Sequence, residues 1–494
     1  LGFEFKHNNV TTSLMRKILN YINGEFEQIV QTDVISVVDP ATNTIFSEIP
    51  NSHQSSLESA VNASSLAYPT WRNLPLEERS KWINKIADGI EEQFEEFAQA
   101  ESLDTGKPIS VTRTVDIPRA ISNFRFFAAA ALHFSSESHF TPGKGINYTL
   151  RQPIGVVGCI SPWNLPLYLF SWKIAPALAA GNCVIGKPSD VTPYTAFLLS
   201  KVLEKISFPK GVLNILHGGV ETGKLIVAHP KIKAISFTGS TRAGQDIASV
   251  AAPIFKKLSL ELGGKNPIII FEDCDIDEAV KTTVRSSFSN QGQICLCGSR
   301  IFIQKSIYKT FVGKFVEALK QLNVGDPNRP ETQVGAIVSQ LQYAKVLSYI
   351  KLSQEEGGEI LAGGGPIKVN GRCENGLFIA PTVIAGLDYK CRTNTEEIFG
   401  PVVSIAPFEN EEEVLMMANH VQYGLAASVW TNDIQRANNI AEQLECGIVW
   451  INSWMERDLR TPFGGIKNSG VGREGGWEAM RFFTEAKNIF IKTK

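Results

Sequence analysis

Residues 154–186 read IGVVGCISPWNLPLYLFSWKIAPALAAGNCVIG, and this stretch decides the fold. It opens on a short apolar run, Ile154–Ile160, and passes through a turn holding Pro162 and Asn164. It continues as a helical segment over 166–179 and closes on a second apolar run, Cys183–Gly186. Strands this uniformly apolar are buried on both faces. The same alternation returns through Leu213–Leu216, Ala234–Phe237 and Leu258–Leu260, with helical stretches near 194–206, 221–228 and 241–250. Strand–helix–strand alternation predicts a parallel sheet covered by helices on both faces, the doubly wound nucleotide-binding architecture. A second series starts at Asn266-Pro-Ile-Ile-Ile and runs through Arg300–Gln304 and a helix over 307–321 to about residue 450. Two α/β lobes follow. The uncharged run 152–172 has the length of a bilayer span. Pro153, Pro162 and Pro166 interrupt it and Asn164 sits within it, so it reads as strand, loop and helix.

Outside the lobes, Trp82, Ile83, Ile86, Ile90, Phe94 and Phe97 recur at helical steps and predict a scaffold helix over 76–98. Pro75 opens that region and Gly106-Lys107-Pro108 ends it. The segments 131–151 and 478–494 fit neither lobe, and Asn147–Arg151 and Asn488–Lys492 have the composition of strands. The chain has 43% hydrophobic and 20% charged residues and a net charge of −2, an ordinary globular balance. That charge gives no electrostatic reason to expect nucleic acid or an anionic membrane as partner. Eight cysteines at scattered spacings do not form a secreted disulfide framework, which points to a reduced, cytoplasmic setting. Seven histidines, none beside a cysteine cluster, give no metal site. The first residue is Leu1, and Met15 is an alternative start; residues 1–14 carry Glu4 and no Arg, unlike a transit peptide.

The chemistry turns on Cys295, in Phe-Ser-Asn-Gln-Gly-Gln-Ile-Cys over 288–295, after a helix expected at Asp275–Phe288. Its Gly-containing loop leaves backbone N–H groups free to meet a substrate oxygen. Glu261 lies upstream in Leu-Glu-Leu-Gly-Gly-Lys-Asn-Pro, and Asn164 lies in Ser-Pro-Trp-Asn. A thiol, a carboxylate and an amide are the parts needed to oxidise an aldehyde through a thioester. Each alone is weak evidence, since a lone intracellular cysteine is more often buried filler.

The set of motifs carries more weight. Pro162-Trp163-Asn164, Gly186-Lys187-Pro188-Ser189, Phe237-Thr238-Gly239-Ser240, Glu261-Leu262-Gly263-Gly264, Gln291-Gly292-Gln293-Ile294-Cys295 and Glu397-Ile398-Phe399-Gly400-Pro401 follow one another as they do in the aldehyde dehydrogenase superfamily, which the chain resembles from about residue 20 to its end. The resemblance implies an aldehyde dehydrogenase fold: a nucleotide-binding domain (15–130 and 152–262), a catalytic domain (263–477) and a small β oligomerisation domain (131–151 and 478–494). It implies a homodimer or homotetramer. It makes Cys295 the nucleophile, its thiolate favoured by local N–H dipoles that lower its pKa. The oxyanion is then held by the Asn164 amide and the Cys295 N–H, and Glu261 activates water. Glu261 is characteristically missing from relatives that pass the acyl group to coenzyme A, so water is the expected acceptor. A catalytically silent relative is the reading from another class, and an NADH absorbance assay separates the two. Cys297 forms with Cys295 a Cys-x-Cys pair one residue short of the C-x-x-C redox or zinc spacing, and reads as a bystander before a backup nucleophile, with a reversible disulfide or oxidation protection as the redox alternative.

The expected cofactor is NAD. The G-x-G-x-x-G fingerprint is absent. Gly239, Ser240 and Gly244 instead give the wider family spacing that brings a pyrophosphate to a helix N-terminus. Gly181-Asn-Cys-Val-Ile-Gly186-Lys187 nearly spells a P-loop, but Pro188 replaces the required hydroxyl residue. In the family this lysine binds the adenosine ribose, and Asp190 nearby would repel a 2′-phosphate, favouring NAD over NADP. Trp163, Glu397 and Phe399 match family positions around the nicotinamide ribose and ring.

Within the superfamily the chain is most similar to enzymes acting on 2-amino- and 2-hydroxymuconic semialdehydes. The similarity lies in Asp116-Ile117-Pro118-Arg119, Asn123–Phe127, Ser161–Leu167 and Trp454–Gly465. It implies 2-aminomuconate 6-semialdehyde, an intermediate of tryptophan degradation by the kynurenine route, as substrate. The 2-hydroxy compound or an apolar aldehyde such as retinal is the alternative. The substrate's carboxylate calls for a fixed cation, and an arginine fork suits it. Arg119 and Arg457 match the subfamily, with Arg460 and Arg125 as competitors.

Overall fold

The computed structural model describes residues 16–27 and 33–493, so both candidate starts, Leu1 and Met15, lie outside the described residues. The first sheet is ordered Gly470–Val471, Lys257–Glu261, Ile232–Thr238, Val156–Ile160, Cys183–Lys187, Leu213–Ile215, Tyr21–Ile22, Glu25–Phe26. Its five central strands run parallel, and short antiparallel strands close both edges. Every residue of Val156–Ile160 and Cys183–Lys187 is buried, which is why those runs carry no polar alternation. Helices Pro166–Ala179, Tyr194–Lys205, Val220–Ala228 and Thr241–Ala251 provide the crossovers. Pro166 stands in the first turn of its helix, where its missing N–H costs nothing. That helix is buried on all sides, and among the described residues no helix is long and apolar enough to cross a membrane.

The second sheet is ordered Glu359–Ala362, Thr382–Ala385, Val402–Phe408, Gly298–Gln304, Asn266–Ile270, Ala426–Trp430, Ile448–Ile451, all parallel except the first. The expected pair of doubly wound α/β lobes is therefore present. A separate antiparallel sheet joins Thr484–Lys492, Gly145–Pro153 and Ser138–Thr141, with Thr484 opposite Pro153 and Lys492 opposite Gly145. The central strand Gly145–Pro153 and the edge strand Thr484–Lys492 both extend beyond the stretches singled out by composition.

One expected helix is two. The period over 76–98 breaks at Gln93, giving Leu76–Glu92 and Phe94–Thr105. Gln93 leaves helical geometry (φ −110, ψ 25), and its side-chain amide donates to the Gly89 carbonyl that the turn strands. Apolar periodicity cannot register this, because Phe94 and Phe97 continue on the buried side. Left-handed Gly106 then ends the second helix, as expected. The helices Leu76–Glu92, Ile117–His133 and Pro166–Ala179 share a core holding Trp71, Phe124, Phe127 and Phe170. Truncating one of these buried aromatics to alanine would cost about 3–5 kcal/mol.

Candidate active site

Strand order gathers the sequence-predicted groups. The first sheet grows from Val156–Ile160 through Cys183–Lys187 to Leu213–Ile215, then returns to place Ile232–Thr238 on the other side. The reversal lies between Val156–Ile160 and Ile232–Thr238, and in doubly wound sheets ligands bind outside the carboxyl ends of the strands at such a reversal. Trp163 and Asn164 follow the first strand, and Gly239 and Ser240 follow the other. Lys187 and Glu261 are the last residues of their own strands.

The second lobe contributes Cys295. After helix Ile276–Phe288 the backbone turns left-handed at Asn290, Gln291 and Gly292 (φ 50, 57 and 69). A methyl at Gly292 would stand 2.2 Å from the Gly400 carbonyl oxygen, so only glycine fits. Side chains hold the turn in this shape. Gln291 Nε2 donates to the Ala336 carbonyl at 2.9 Å, and Trp454 Nε1 to that of Leu296 at 2.9 Å. Asn266 Nδ2 donates to the carbonyls of Cys295 at 2.7 Å and Cys297 at 2.9 Å. Among the described residues the Cys295 N–H meets no acceptor, which leaves it free for a substrate oxygen.

Asn164 touches this loop directly. Its Nδ2 donates to the Gln293 carbonyl at 2.8 Å, so one amide hydrogen is engaged and the other remains for an oxyanion. Its own carbonyl accepts from Asn290 Nδ2 at 2.9 Å and Lys107 Nζ at 3.1 Å. Cys295 is partly accessible, whereas Cys297 is buried with its thiol 3.9 Å from the Ser289 carbonyl.

The expected lowering of the Cys295 pKa does not hold. Burial pushes the thiol up, the Glu261 and Glu397 carboxyls push the same way, and Arg457 pulls it down. Burial and the two carboxyl charges outweigh the loop N–H dipoles. Burial, then Glu474, holds Glu261 well above the usual carboxylate range, against Lys173, Arg473 and Arg457. Its Oε1 is buried without a hydrogen-bond partner. A methyl at Gly464 (φ +154) would stand 2.7 Å from that oxygen, so the glycine makes the room. Glu474 in turn accepts from Lys173 Nζ at 2.7 Å and Ser236 Oγ at 3.1 Å.

Sequence reasoning missed Lys107, Lys173, Glu474, Asn266 and Gln342. Lys173 left a signal: it is the only charge between Arg151 and Lys187. Asn266 lies in the quoted segment of Glu261, five residues on, but at the start of the next lobe's first strand, and the other three lie on separate segments whose local sequence does not pair them with the site.

Trp163 and Phe399 meet edge to face, ring centroids 5.2 Å apart. Phe399 has φ +59, and Gln342 Nε2 fixes it by donating to its carbonyl at 2.8 Å. Glu397 Oε1 accepts from the Gly264 N–H at 2.8 Å, and burial raises its pKa. Lys187 is buried and donates to the Pro188 carbonyl at 3.3 Å; burial lowers its pKa and Asp190 opposes this. Ser240 Oγ accepts from the Ala243 N–H at 3.3 Å, so its side chain caps Thr241–Ala251, and Gly244 is buried in that helix. Thr238 Oγ1 and both His217 ring nitrogens are buried and unpartnered. Burial and the Lys187 charge push His217 down to about 3. Orphaned polar atoms along the carboxyl edge of a doubly wound sheet suit a polar nucleotide.

A cavity of about 690 Å³ lies between helix Ile117–His133 and the loop after Trp454, lined by Arg119, Phe126, Arg457 and Arg460. Arg460 is spent on Asp458 at 2.5 Å. Arg125 is spent on Asp88 at 2.9 Å and Glu91 at 2.5 Å. Among the described residues, neither Arg119 nor Arg457 forms an ion pair with a carboxylate. Arg457 Nη1 donates to Tyr168 Oη at 2.8 Å and its guanidinium lies 4.1 Å over the Phe463 ring. Arg119 lies 5.6 Å over the Tyr168 ring.

Comparison with known proteins gives the same direction. The profile of the Aldehyde dehydrogenase family matches residues 28–489. The chain is 49% identical over 485 residues to the 2-aminomuconic semialdehyde dehydrogenase of Homo sapiens, covering 97% of this chain and 99% of that protein. It is 42% identical over 485 residues to the 2-hydroxymuconic semialdehyde dehydrogenase of Pseudomonas sp. (strain CF600), covering 97% and 100%. The NAD+ complex of an aldehyde dehydrogenase from Bacillus cereus superimposes with a TM-score of 0.93 at 37% identity, covering 97% of each chain.

Proposed function

The chain belongs to the aldehyde dehydrogenase family, and we propose that it oxidises a carboxylate-bearing muconic semialdehyde to the corresponding acid with NAD. The preferred substrate is 2-aminomuconate 6-semialdehyde, with the 2-hydroxy compound next. The observation that carries this is the pair of guanidiniums, Arg119 and Arg457, without carboxylate partners on one cavity. Two such groups are costly against hydrocarbon, which tells against an apolar aldehyde such as retinal, and well matched to a carboxylate.

Each chain group then has a task. Cys295 Sγ gives up its proton to solvent water, from which it is not sealed off, and adds as thiolate to the aldehyde carbon, while the free hydrogen of Asn164 Nδ2 and the Cys295 N–H receive the oxyanion. One such donor is worth ~3 kcal/mol in the barrier. NAD, when bound, supplies the acceptor for the aldehyde hydride. The acyl group left on Cys295 is a thioester. Glu261, unprotonated, takes a proton from water; the hydroxide attacks the acyl carbon and Cys295 leaves as thiolate. Lys187 and Asp190 would hold the adenosine ribose, Gly239, Ser240 and Gly244 the pyrophosphate, and Trp163, Glu397 and Phe399 the nicotinamide end. Asp190 favours NAD over NADP by repelling a 2′-phosphate.

Residues 15–130 with 152–262 form the NAD-binding domain in this reading, 263–477 the catalytic domain, and 131–151 with 478–494 a self-assembly unit giving a dimer or tetramer. Scattered cysteines support a cytoplasmic setting. The test is NADH formation with 2-hydroxymuconic semialdehyde and with hexanal. Arg119→Ala and Arg457→Ala are expected to raise KM for the semialdehyde at least about tenfold, as loss of a charged hydrogen bond implies. Equal losses on both aldehydes, or no turnover of any carboxylated semialdehyde, would end the assignment.

A further inference from the structure

We infer that Tyr168 is a specificity-determining residue of this site, which sets both arginines for the substrate carboxylate; the inference rests on the muconic reading above. Tyr168 is buried at the start of helix Pro166–Ala179, four residues beyond Asn164. Its backbone is fixed: its carbonyl accepts from Asn123 Nδ2 at 3.1 Å and Ser171 Oγ at 2.8 Å. The phenol therefore projects from a rigid base and meets the two cations in different ways. Its hydroxyl takes one N–H of Arg457 at 2.8 Å, and its ring lies 5.6 Å beneath the Arg119 guanidinium.

Both contacts orient a cation without neutralising it. A carboxylate in the place of this hydroxyl would consume the charge, as Asp458 consumes that of Arg460. A phenol leaves four N–H groups of the Arg457 fork for other acceptors. The rings of Phe463 and Trp172, 4.1 and 5.4 Å from the Arg457 guanidinium, pack it from other sides without offering it an oxygen. Arg457 is thus held by aromatic faces and one neutral hydroxyl. Its loop begins in the catalytic half of the chain, whereas Tyr168 and Asn164 share one segment of the first. The residue that fixes the carboxylate end is therefore attached to the segment that fixes the oxyanion end.

The experiment compares Tyr168→Phe, Tyr168→Leu and Arg457→Ala on 2-hydroxymuconic semialdehyde and on hexanal, with kcat and KM resolved by NADH absorbance. Tyr168→Phe removes the hydroxyl and keeps the ring. It is expected to raise KM for the semialdehyde about fivefold, with a smaller change in kcat. The preference for semialdehyde over hexanal, as a ratio of kcat/KM, should fall by a similar factor. Tyr168→Leu removes the ring as well and should lower that ratio further. If Arg457→Ala raises KM for the semialdehyde and Tyr168→Phe does not, the role of Tyr168 is overturned while the substrate reading stands. If Arg457→Ala also leaves it unchanged, both are overturned. Equal losses on the two aldehydes in Tyr168→Phe would make the residue structural and overturn the inference. Tyr168→Phe carries the decision even where Tyr168→Leu fails to fold.

Discussion

The ammonium of Lys107 donates to the backbone carbonyl of Asn164 at 3.1 Å from a side chain with no solvent exposure. Its charge is balanced by Asp116 at 2.8 Å, in the π-helical turn Thr112–Asp116 that leads into the helix of Arg119. The oxyanion donor is therefore anchored by a buried ion pair. Lys107→Met is expected to lower kcat about a hundredfold, from misplacement of Asn164 Nδ2, and to destabilise the fold by ~3–5 kcal/mol because Asp116 is left unpaired. Adding Asp116→Asn should restore the melting temperature and leave kcat low. Recovery of both together would mean that Lys107 serves stability alone.

Cys295→Ala should abolish NADH formation while NAD binding, followed by tryptophan fluorescence, stays nearly intact. Glu261→Ala should retain a first turnover and then stall, with steady-state turnover down by ~10²–10⁴ as for a lost general base. Intact-mass spectrometry after mixing with aldehyde and NAD would show the acyl adduct on the protein. Normal turnover without an adduct would assign the base elsewhere.

Much of this was readable beforehand. The crossover helix Pro166–Ala179 and its flanking strands fall where the apolar runs put them, because segments buried on both sides leave an uninterrupted pattern. Asn164, Glu261 and Cys295 stand out through family motifs rather than through any periodicity. The direction of the Cys295 pKa was not readable, since Glu397 is remote in sequence and reaches the thiol only through the fold. The difference among Arg119, Arg457, Arg460 and Arg125 likewise arises only in the fold. The carboxylates that occupy Arg125 come from another helix, and the Asp458–Arg460 pair depends on loop shape.

The raised pKa of Glu261 fixes the sign of the pH dependence. Its working form is the carboxylate, and burial with Glu474 moves that form to higher pH. Thioester hydrolysis should therefore rise with pH through a range above that of an ordinary carboxyl. Glu474→Gln removes a neighbouring negative charge and leaves Lys173 uncompensated, and both changes lower the Glu261 pKa. The acid limb of kcat should move to lower pH in this variant. A limb that stays or moves upward would exclude Glu261 as the titrating base.

A second titration concerns stability. Burial pushes Glu101 up to about 7, with Asp116 adding to the rise and Lys107 opposing it. A carboxyl raised on folding stabilises the fold fully below its unfolded pKa of roughly 4.3, and this contribution is lost as pH rises through the folded value. The melting temperature should decline between about pH 4.3 and about pH 7 and level off above it, and Glu101→Gln should flatten that part of the curve. An unchanged slope in Glu101→Gln would place the titration on another group.

The small sheet offers a surface for the proposed self-assembly. Thr484–Lys492 is an edge strand of nine residues, paired on one side to Gly145–Pro153. An edge of that length invites pairing unless covered. Phe140, Ile146, Leu150, Phe490 and Ile491 are all exposed on the same three strands, and each would contribute about 1.5–3 kcal/mol if buried. The proposed dimer or tetramer supplies that cover. Light scattering on the purified protein at micromolar concentration should report two or four copies. Ile491→Lys places a charge on the strand and should shift the population toward smaller species, with activity per chain falling as they dissociate. Deleting residues 484–494 bares the Gly145–Pro153 edge and should give aggregates. A stable, fully active monomer of the unaltered chain would remove the basis for assigning this sheet to self-assembly.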